Sequence, residues 1–245
     1  MLTKLRGEIY LFFGALFFAF NGIISKIVLI DGPSAWRLTQ IRTGGAFVLL
    51  LLFHLVFKRH ELKATKSELP WLLAFGVVGV AFVQAFYFVA IERMYVGVAL
   101  LIEFTAPIWI LIFLRFVLKK HVPSTFWYAI ILSFSGLLMI TQIWNGLSLD
   151  RLGLIAALVD ALSLAGYFLI GDRLGKTKSS GAITTWGFGV TTALLAIALP
   201  LWSFPTEIFT KNMKLLGRFD GYTLPGWVLI LWIITMGTVL PYLCV

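Results

Sequence analysis

The sequence predicts an all-α membrane protein, an inverted-repeat bundle of helices with eight transmembrane spans present. Three observations carry the prediction. Hydrophobic residues fill 60% of the 245 positions and charged residues 13%, too few polar side chains to coat a water-soluble globule. The apolar residues fall into eight stretches of about 20, the length a helix needs to cross a hydrocarbon core of roughly 30 Å. The sixth stretch also repeats the residue pattern of the first. Each span must be helical, because lipid offers no partner to free backbone N–H and C=O groups.

The spans run over Ile9–Ile30, Leu38–Phe57, Pro70–Ile91, Val96–Leu114, Ser124–Trp144, Leu152–Ile170, Ala182–Phe204 and Leu224–Val245. The first is too long for a cleavable signal segment and lacks a small-residue cleavage site, so it counts as structure. With the N-terminus inside, Lys4, Arg6, Lys58, Arg59, Lys63, Lys66, Arg115, Lys119, Lys120, Arg173, Lys176 and Lys178 lie on the cytoplasmic side. Only Arg93, Arg151, Lys211, Lys214 and Arg218 lie outside. Twelve against five is a positive-inside bias, which puts the N-terminus of a multi-pass protein in the cytoplasm; the plasma membrane (bacterial inner membrane) is the expected location. The net charge of +9 is therefore topological and does not argue for nucleic acid. Trp36, Trp71, Trp127, Trp144, Trp186, Trp202 and Trp227 stand near span ends, where amphipathic rings prefer the interface. Trp109 and Trp232 lie deeper, facing either lipid or an interior cavity. The lone Cys244 excludes an internal disulfide and a Cys-based zinc cluster.

Sliding the chain by 146 residues lays Gly7 on Gly153, Ile9 on Ile155, Ala15 on Ala161, Leu16 on Leu162, Ala19 on Ala165 and Ile24 on Ile170. Gly79 with Gln84 five residues later is echoed by Gly237 with Tyr242. A repeat of five spans, an odd number, enters the membrane upside down in its second copy, the arrangement in which carriers hold a midplane site between rocking halves. The expected division is 1–145 for a complete first repeat and 151–245 for an incomplete second one. By that arithmetic the final two helices are missing, so a C-terminally truncated fragment is expected; a natural eight-span protein is the competing expectation.

The stretch from Ala90 to Ala99, with Gly97-Val98-Ala99 leading through Leu100, Leu101 and Ile102 into Glu103-Phe104-Thr105-Ala106-Pro107, resembles a fourth-helix signature of the drug/metabolite transporter superfamily. The resemblance is to its EamA-type ten-helix carriers, in the branch that contains the bacterial threonine/homoserine exporter. Gly153 with Tyr167, and Gly237-Thr238 with Tyr242, are similar to sixth- and eighth-helix patterns of the second repeat. The resemblance implies two five-helix repeats, a central cavity and export of amino acids or other small metabolites. The ninth-helix counterpart of Glu103 to Pro107 is absent from the chain.

Glu103 lies about seven residues into its span, roughly 10 Å deep at 1.5 Å per residue, beyond the reach of a snorkelling carboxylate. An acid near a helix centre costs on the order of 2.5–3.5 kcal/mol on insertion scales, so it should face the bundle interior. It is either a site for a substrate ammonium or a proton, or a structural hydrogen bond to a neighbouring helix. Pro107 frees a backbone carbonyl near Glu103 and opens the helix toward the cavity or merely kinks it. Asp160 shares a helical face with Tyr167 and meets either cargo or a partner such as Arg42 or Ser163. Asn21, and Gln84 with Tyr87 at i, i+3 spacing, either line a ligand site or bond between helices. Arg42 either snorkels or clamps a carboxylate bidentately. Lys26 is expected to snorkel.

Substrate contact is thus assigned to Glu103, Asn21, Gln84, Tyr87, Asp160, Tyr242 and Arg42, with no cofactor and no metal. The expected partners are a small-molecule substrate, the lipid bilayer and protons; a homodimer is compatible with the sequence. Ser133-Phe134-Ser135-Gly136 superficially resembles an intramembrane serine protease motif, but His54, His60 and His121 all lie near span ends, out of reach as a base. No P-loop, dinucleotide fingerprint or zinc-protease motif is present, so the sequence points to no enzyme. The function expected is a secondary transporter, most simply an amino-acid exporter working by alternating access. The alternatives are another cargo (a drug, nucleotide precursor or sugar derivative) and a non-transporting scaffold or enzyme.

Overall fold

A computed structural model describes residues 2–141, 150–216 and 221–241. All eight predicted stretches are helical over most of their described residues: α1 (Leu2–Asp31), α2 (Ala35–Phe57), α3 (Leu69–Arg93), α4 (Val96–Val117), α5 (Ser124–Thr141), α6 (Arg151–Leu174), α7 (Ser180–Ala198) and α8 (Gly226–Val239). Among them α2, α3, α4, α6 and α7 are each long and apolar enough to cross a membrane. Large apolar side chains such as Leu52, Val56, Ile131, Leu132 and Ile197 stand exposed on the outside, as a lipid-facing surface requires. The chain is a multi-pass, all-α membrane protein.

Local chemistry sets the helix ends. Pro70 opens α3 in the first turn, where its missing N–H is not needed. Asp150 caps α6 by accepting from the Gly153 N–H at 2.8 Å, and Ser179 caps α7 by accepting from the Ala182 N–H at 3.3 Å. At the C-terminus of α3 the Lys26 ammonium, reaching across from α1, donates to the carbonyls of Ile91, Glu92 and Met94. Lys26 thus closes a helix end, where a cation meets the negative pole of the backbone dipoles.

Three features depart from the expected spans. The seventh ends at Ala198, six residues early, because Pro200 pushes Leu199 out of the helical region to φ −129°, ψ 91°. The eighth begins at Gly226, since Leu224 belongs to a short hairpin pairing β1 (Asn212–Lys214) with β2 (Thr223–Pro225). Helices α3, α4 and α8 also carry wide π-type turns at Phe75–Phe82, Phe113–Val117 and Thr235–Val239.

Helix α6 packs along α3, α2 along α7, and α1 along α8, with α4 covering another side of α6. Small residues permit the approach. A Cβ added to Gly76 would lie 2.5 Å from Val190 Cβ on α7, and one on Gly79 would lie 3.2 Å from Tyr167 Cα on α6. The bundle has two apolar cores. One gathers Val28, Leu38, Phe88, Ile91, Ala157 and Ile233; the other gathers Ala46, Leu50, Leu72, Phe75, Val80 and Phe188.

Candidate functional site

Between the two cores lies a polar layer. On α2, Arg42 falls between Leu38 of one core and Ala46 of the other; on α3, Gln84 falls between Phe88 and Val80. On α6, Asp160 follows Ala157, and on α8, Thr238 follows Ile233. Asn21, Arg42, Gln84 and Asp160 are 3, 3, 5 and 1% exposed, so these side chains are withdrawn from the surroundings of the bundle.

The helix pairings decide who meets whom. Gly171 of α6 faces Phe75 of α3, Gly79 of α3 faces Tyr167, and Gly153 faces Arg93 and Met94, an antiparallel register. That register brings Asp160 to the level of Gln84 and Tyr87. Tyr87 lies in the electrostatic field of Glu103, Arg42 and Asp160, while Glu103 feels Arg42 and Asp160 feels Glu103. The Tyr87 hydroxyl rests over Gly22 of α1, where an added Cβ would come within 2.6 Å of it. Residues from α1, α2, α3, α4, α6 and α8 thus converge on one layer.

Glu103 sits where α4 breaks. The helix stops at Glu103, turns through Phe104 and Thr105, and restarts at Ala106 with Pro107 in its first turn. The Thr105 hydroxyl donates to the Ile102 carbonyl at 2.6 Å and accepts from Trp109 Nε1 at 3.1 Å, satisfying groups the break sets free. The break falls just before Pro107, and Trp109 takes part in it through its ring N–H.

Two kinds of polar group share the layer. Arg42 is held by α8: its Nε donates to Thr238 Oγ1 at 2.7 Å, its Nη2 donates to the Gly237 carbonyl at 3.2 Å, and its guanidinium lies 5.3 Å from the Phe88 ring centre. The π turn at Thr235–Val239 presents that carbonyl, and the Asn21 carboxamide packs on the Gly237 backbone. By contrast Gln84 Oε1, Glu103 Oε2 and both Asp160 carboxylate oxygens are buried without a hydrogen-bond partner among the described residues. The structural pairings open for Asp160, with Arg42 or Ser163, are not made by either of its oxygens. A buried acceptor left open costs about 1–3 kcal/mol, and more when charged, so four of them in one layer call for a donor. Tyr242 lies outside the described residues.

Sequence reasoning missed Thr238 as a functional neighbour. Its signal was present in the pattern Gly237-Thr238, but its partner Arg42 could not be known without the packing of α2 on α8. His54 stands in the last turn of α2, near the span end as expected, and is buried there, with Nδ1 2.9 Å from the Leu50 carbonyl and 3.1 Å from Thr185 Oγ1. At the end of the bundle where α2 meets α3, the loops are tied together. Glu68 accepts from the Thr65 N–H at 2.9 Å and the Thr177 hydroxyl at 2.7 Å, and pairs with Lys178 at 3.3 Å. Those hydrogen bonds, the Thr65 N–H first, hold the Glu68 carboxyl down at about 2. Ser179 donates to Glu61, which depresses that carboxyl below its ordinary value. At the other end Arg37 donates to the carbonyls of Leu199 and Pro200 and to Ser203 Oγ.

Buried polar and ionisable groups at mid-helix are features that mark solute and proton pathways in membrane proteins. The chain belongs to the EamA-like transporter family, whose model matches residues 5–142. It is 26% identical over 196 residues to the uncharacterized transporter YwfM of Bacillus subtilis (strain 168), covering 78% of this chain and 64% of that protein. The chain therefore spans a little under two thirds of the length of that relative. It also superposes on a crystal structure with a TM-score of 0.61 at 15% identity, over 97% of this chain and 77% of the other, a likeness of fold alone.

Proposed function

We propose that the protein is a secondary transporter that moves a small polar metabolite, most simply an amino acid outward, across the plasma membrane by alternating access. One observation carries the reading: four buried acceptor oxygens on three helices stand open in a layer between two apolar cores. A fold that served only as a scaffold would have no reason to carry that desolvation, whereas a passing amine or proton relieves it. Energy would come from a proton gradient or from the cargo's own gradient. No enzymatic role is proposed.

Two halves related by inversion are one arrangement that performs alternating access, and several contacts support the repeat of residues 1–145 by residues 151–245. If each helix of the first half matches the helix five places later, the pairing of α3 with α6 must be mirrored by α8 with α1, and α2 must pair with its own counterpart α7. All three pairings occur. At finer scale, Gly79 in the π turn of α3 packs on Tyr167, and Gly237 in the π turn of α8 packs on Asn21. The 146-residue slide that aligns the first span with the sixth lays Asn21 on Tyr167. The basic loops support a cytoplasmic N-terminus, and the resemblance of Glu103 to Pro107 to the threonine/homoserine exporter pattern supports an amino-acid cargo.

Counterflow tests the reading. Purified protein in liposomes loaded with unlabelled threonine, homoserine, leucine or phenylalanine should accumulate the same labelled amino acid transiently for at least one of them. No exchange for any member of a broad amino-acid panel contradicts the amino-acid assignment; flux of another solute class would redirect it.

A further inference from the structure

We infer that the site recognises the ammonium end of its cargo, so that primary amines and carboxyl-blocked amino acids are ligands and N-acylated ones are not. The inference rests on the transporter reading above and names the chemical class that the polar layer takes.

The argument is a matching of donors to acceptors. Among the described residues the fully buried side-chain atoms left without a partner are all acceptors: Gln84 Oε1 on α3, Glu103 Oε2 on α4, Asp160 Oδ1 and Oδ2 on α6. Gln84 is neutral and only 5% exposed, so the demand for a donor does not come from the two acids alone. The positive groups nearby are engaged with the scaffold. Arg42 spends its Nε and Nη2, one of the edges with which a guanidinium grips a carboxylate bidentately, on Thr238 and Gly237 of α8. Lys26 spends its ammonium on carbonyls at the end of α3. Arg42 is therefore a strut that fixes α2 to the π turn of α8, and its charge offsets one of the two carboxylates.

With both acids ionised the layer keeps one negative charge more than Arg42 balances. A net charge in a dry interior is costly unless it is paired and hydrogen-bonded. An alkylammonium has the complementary valence, one positive charge and N–H donors only, and it can point them at acceptors on three different helices. A carboxylate brought to the same layer meets two like charges and open acceptors. A proton on either acid is the other way to neutralise the layer, so protons and amine compete.

The test uses three probes of one side-chain shape, leucinamide, leucine and N-acetyl-leucine, with binding to the detergent-purified protein read by calorimetry and competition read in counterflow. Leucinamide should bind at least as tightly as leucine, and N-acetyl-leucine should bind at least about tenfold more weakly, the loss of a charge-assisted hydrogen bond. The isosteric variants Asp160→Asn and Glu103→Gln, checked for a single symmetric peak on gel filtration, should each weaken leucinamide by a similar factor and move the pH dependence of its binding. The inference is overturned, with the carrier reading intact, if leucine and N-acetyl-leucine bind alike while leucinamide is excluded. It is overturned too if both isosteric variants bind leucinamide as the parent does. Silence of all three probes in binding and in counterflow overturns the inference together with the reading it rests on.

Discussion

Replacing Gly237 by alanine probes the place where α1, α2 and α8 meet. The new Cβ would run first into the Asn21 Oδ1 atom, with Asn21 Cγ at 3.0 Å and Cβ at 3.3 Å, against the 3.4–4 Å of ordinary contact. Turning the Asn21 amide cannot relieve the overlap, because the carbon nearest its own backbone is also too close. Either α1 or the π turn must shift by several tenths of an ångström, and the Gly237 carbonyl that accepts from Arg42 shifts with it. Overpacking of this kind costs about 1–3 kcal/mol, while Gly→Ala within a helix returns about 1 kcal/mol through propensity. Gly136→Ala on α5 supplies the reference, since nothing lies within 4 Å of a Cβ there. The propensity gain is common to both, so the two variants should differ by the overpacking alone, about 1–3 kcal/mol or about 2–12 °C in Tm for a chain of this size. The assay is thermal denaturation of the detergent-purified proteins followed by gel filtration, with counterflow measured in parallel. Equal melting temperatures for the two variants would refute the packing described for α8 on α1.

Other outcomes follow from the same contacts. Arg42→Lys keeps the charge but cannot reproduce the paired donation to Thr238 and Gly237, and should lower stability by about 1.5–3 kcal/mol, the range for hydrogen bonds to charged groups; an unchanged Tm would show that Arg42 is no strut. Gly22→Ala should push the Tyr87 hydroxyl out of its seat, costing about 1–3 kcal/mol, and should reduce counterflow more than Gly136→Ala does. The Glu68 carboxyl, depressed to about 2 from its ordinary 4.5, contributes stability that is fully present above about pH 4.5 and is lost as the pH falls toward 2. Acid-unfolding curves of Glu68→Gln should therefore be flatter than the parent's between those values, and parallel curves would count against the tie between Glu68, Thr177 and Lys178.

Much of the fold was legible because the bilayer imposes a simple rule: an apolar run of sufficient length must be a helix. The eight stretches from Ile9 to Val245 are visible for that reason. Pro200 marks the true end of α7, but the apolar run continuing through Leu201, Trp202 and Phe204 masks it in a hydropathy reading. The hairpin at Met213 and Leu224 has too few alternating residues to announce itself. The π turns at Phe75–Phe82 and Thr235–Val239 contain Gly79 and Gly237, whose close neighbours Tyr167 and Asn21 are distant in sequence. Within the site, depth and residue type were enough to single out Glu103, Gln84 and Asp160, whose acceptors stand open. Arg42 shows the limit: a buried guanidinium is visible in the sequence, but whether it grips cargo or a neighbouring helix is decided by the carbonyl of Gly237, 195 residues away.

The central claim is that the open carboxylates serve a solute or a proton crossing the membrane. The direct measurement is the pH profile of counterflow in liposomes for the parent, Glu103→Gln and Asp160→Asn, using a labelled amino acid that the parent exchanges. A parent profile that rises and falls with pH, flattened or abolished in both variants while they remain folded, is the predicted result. Exchange by both variants at the parental rate and with the parental profile would contradict it.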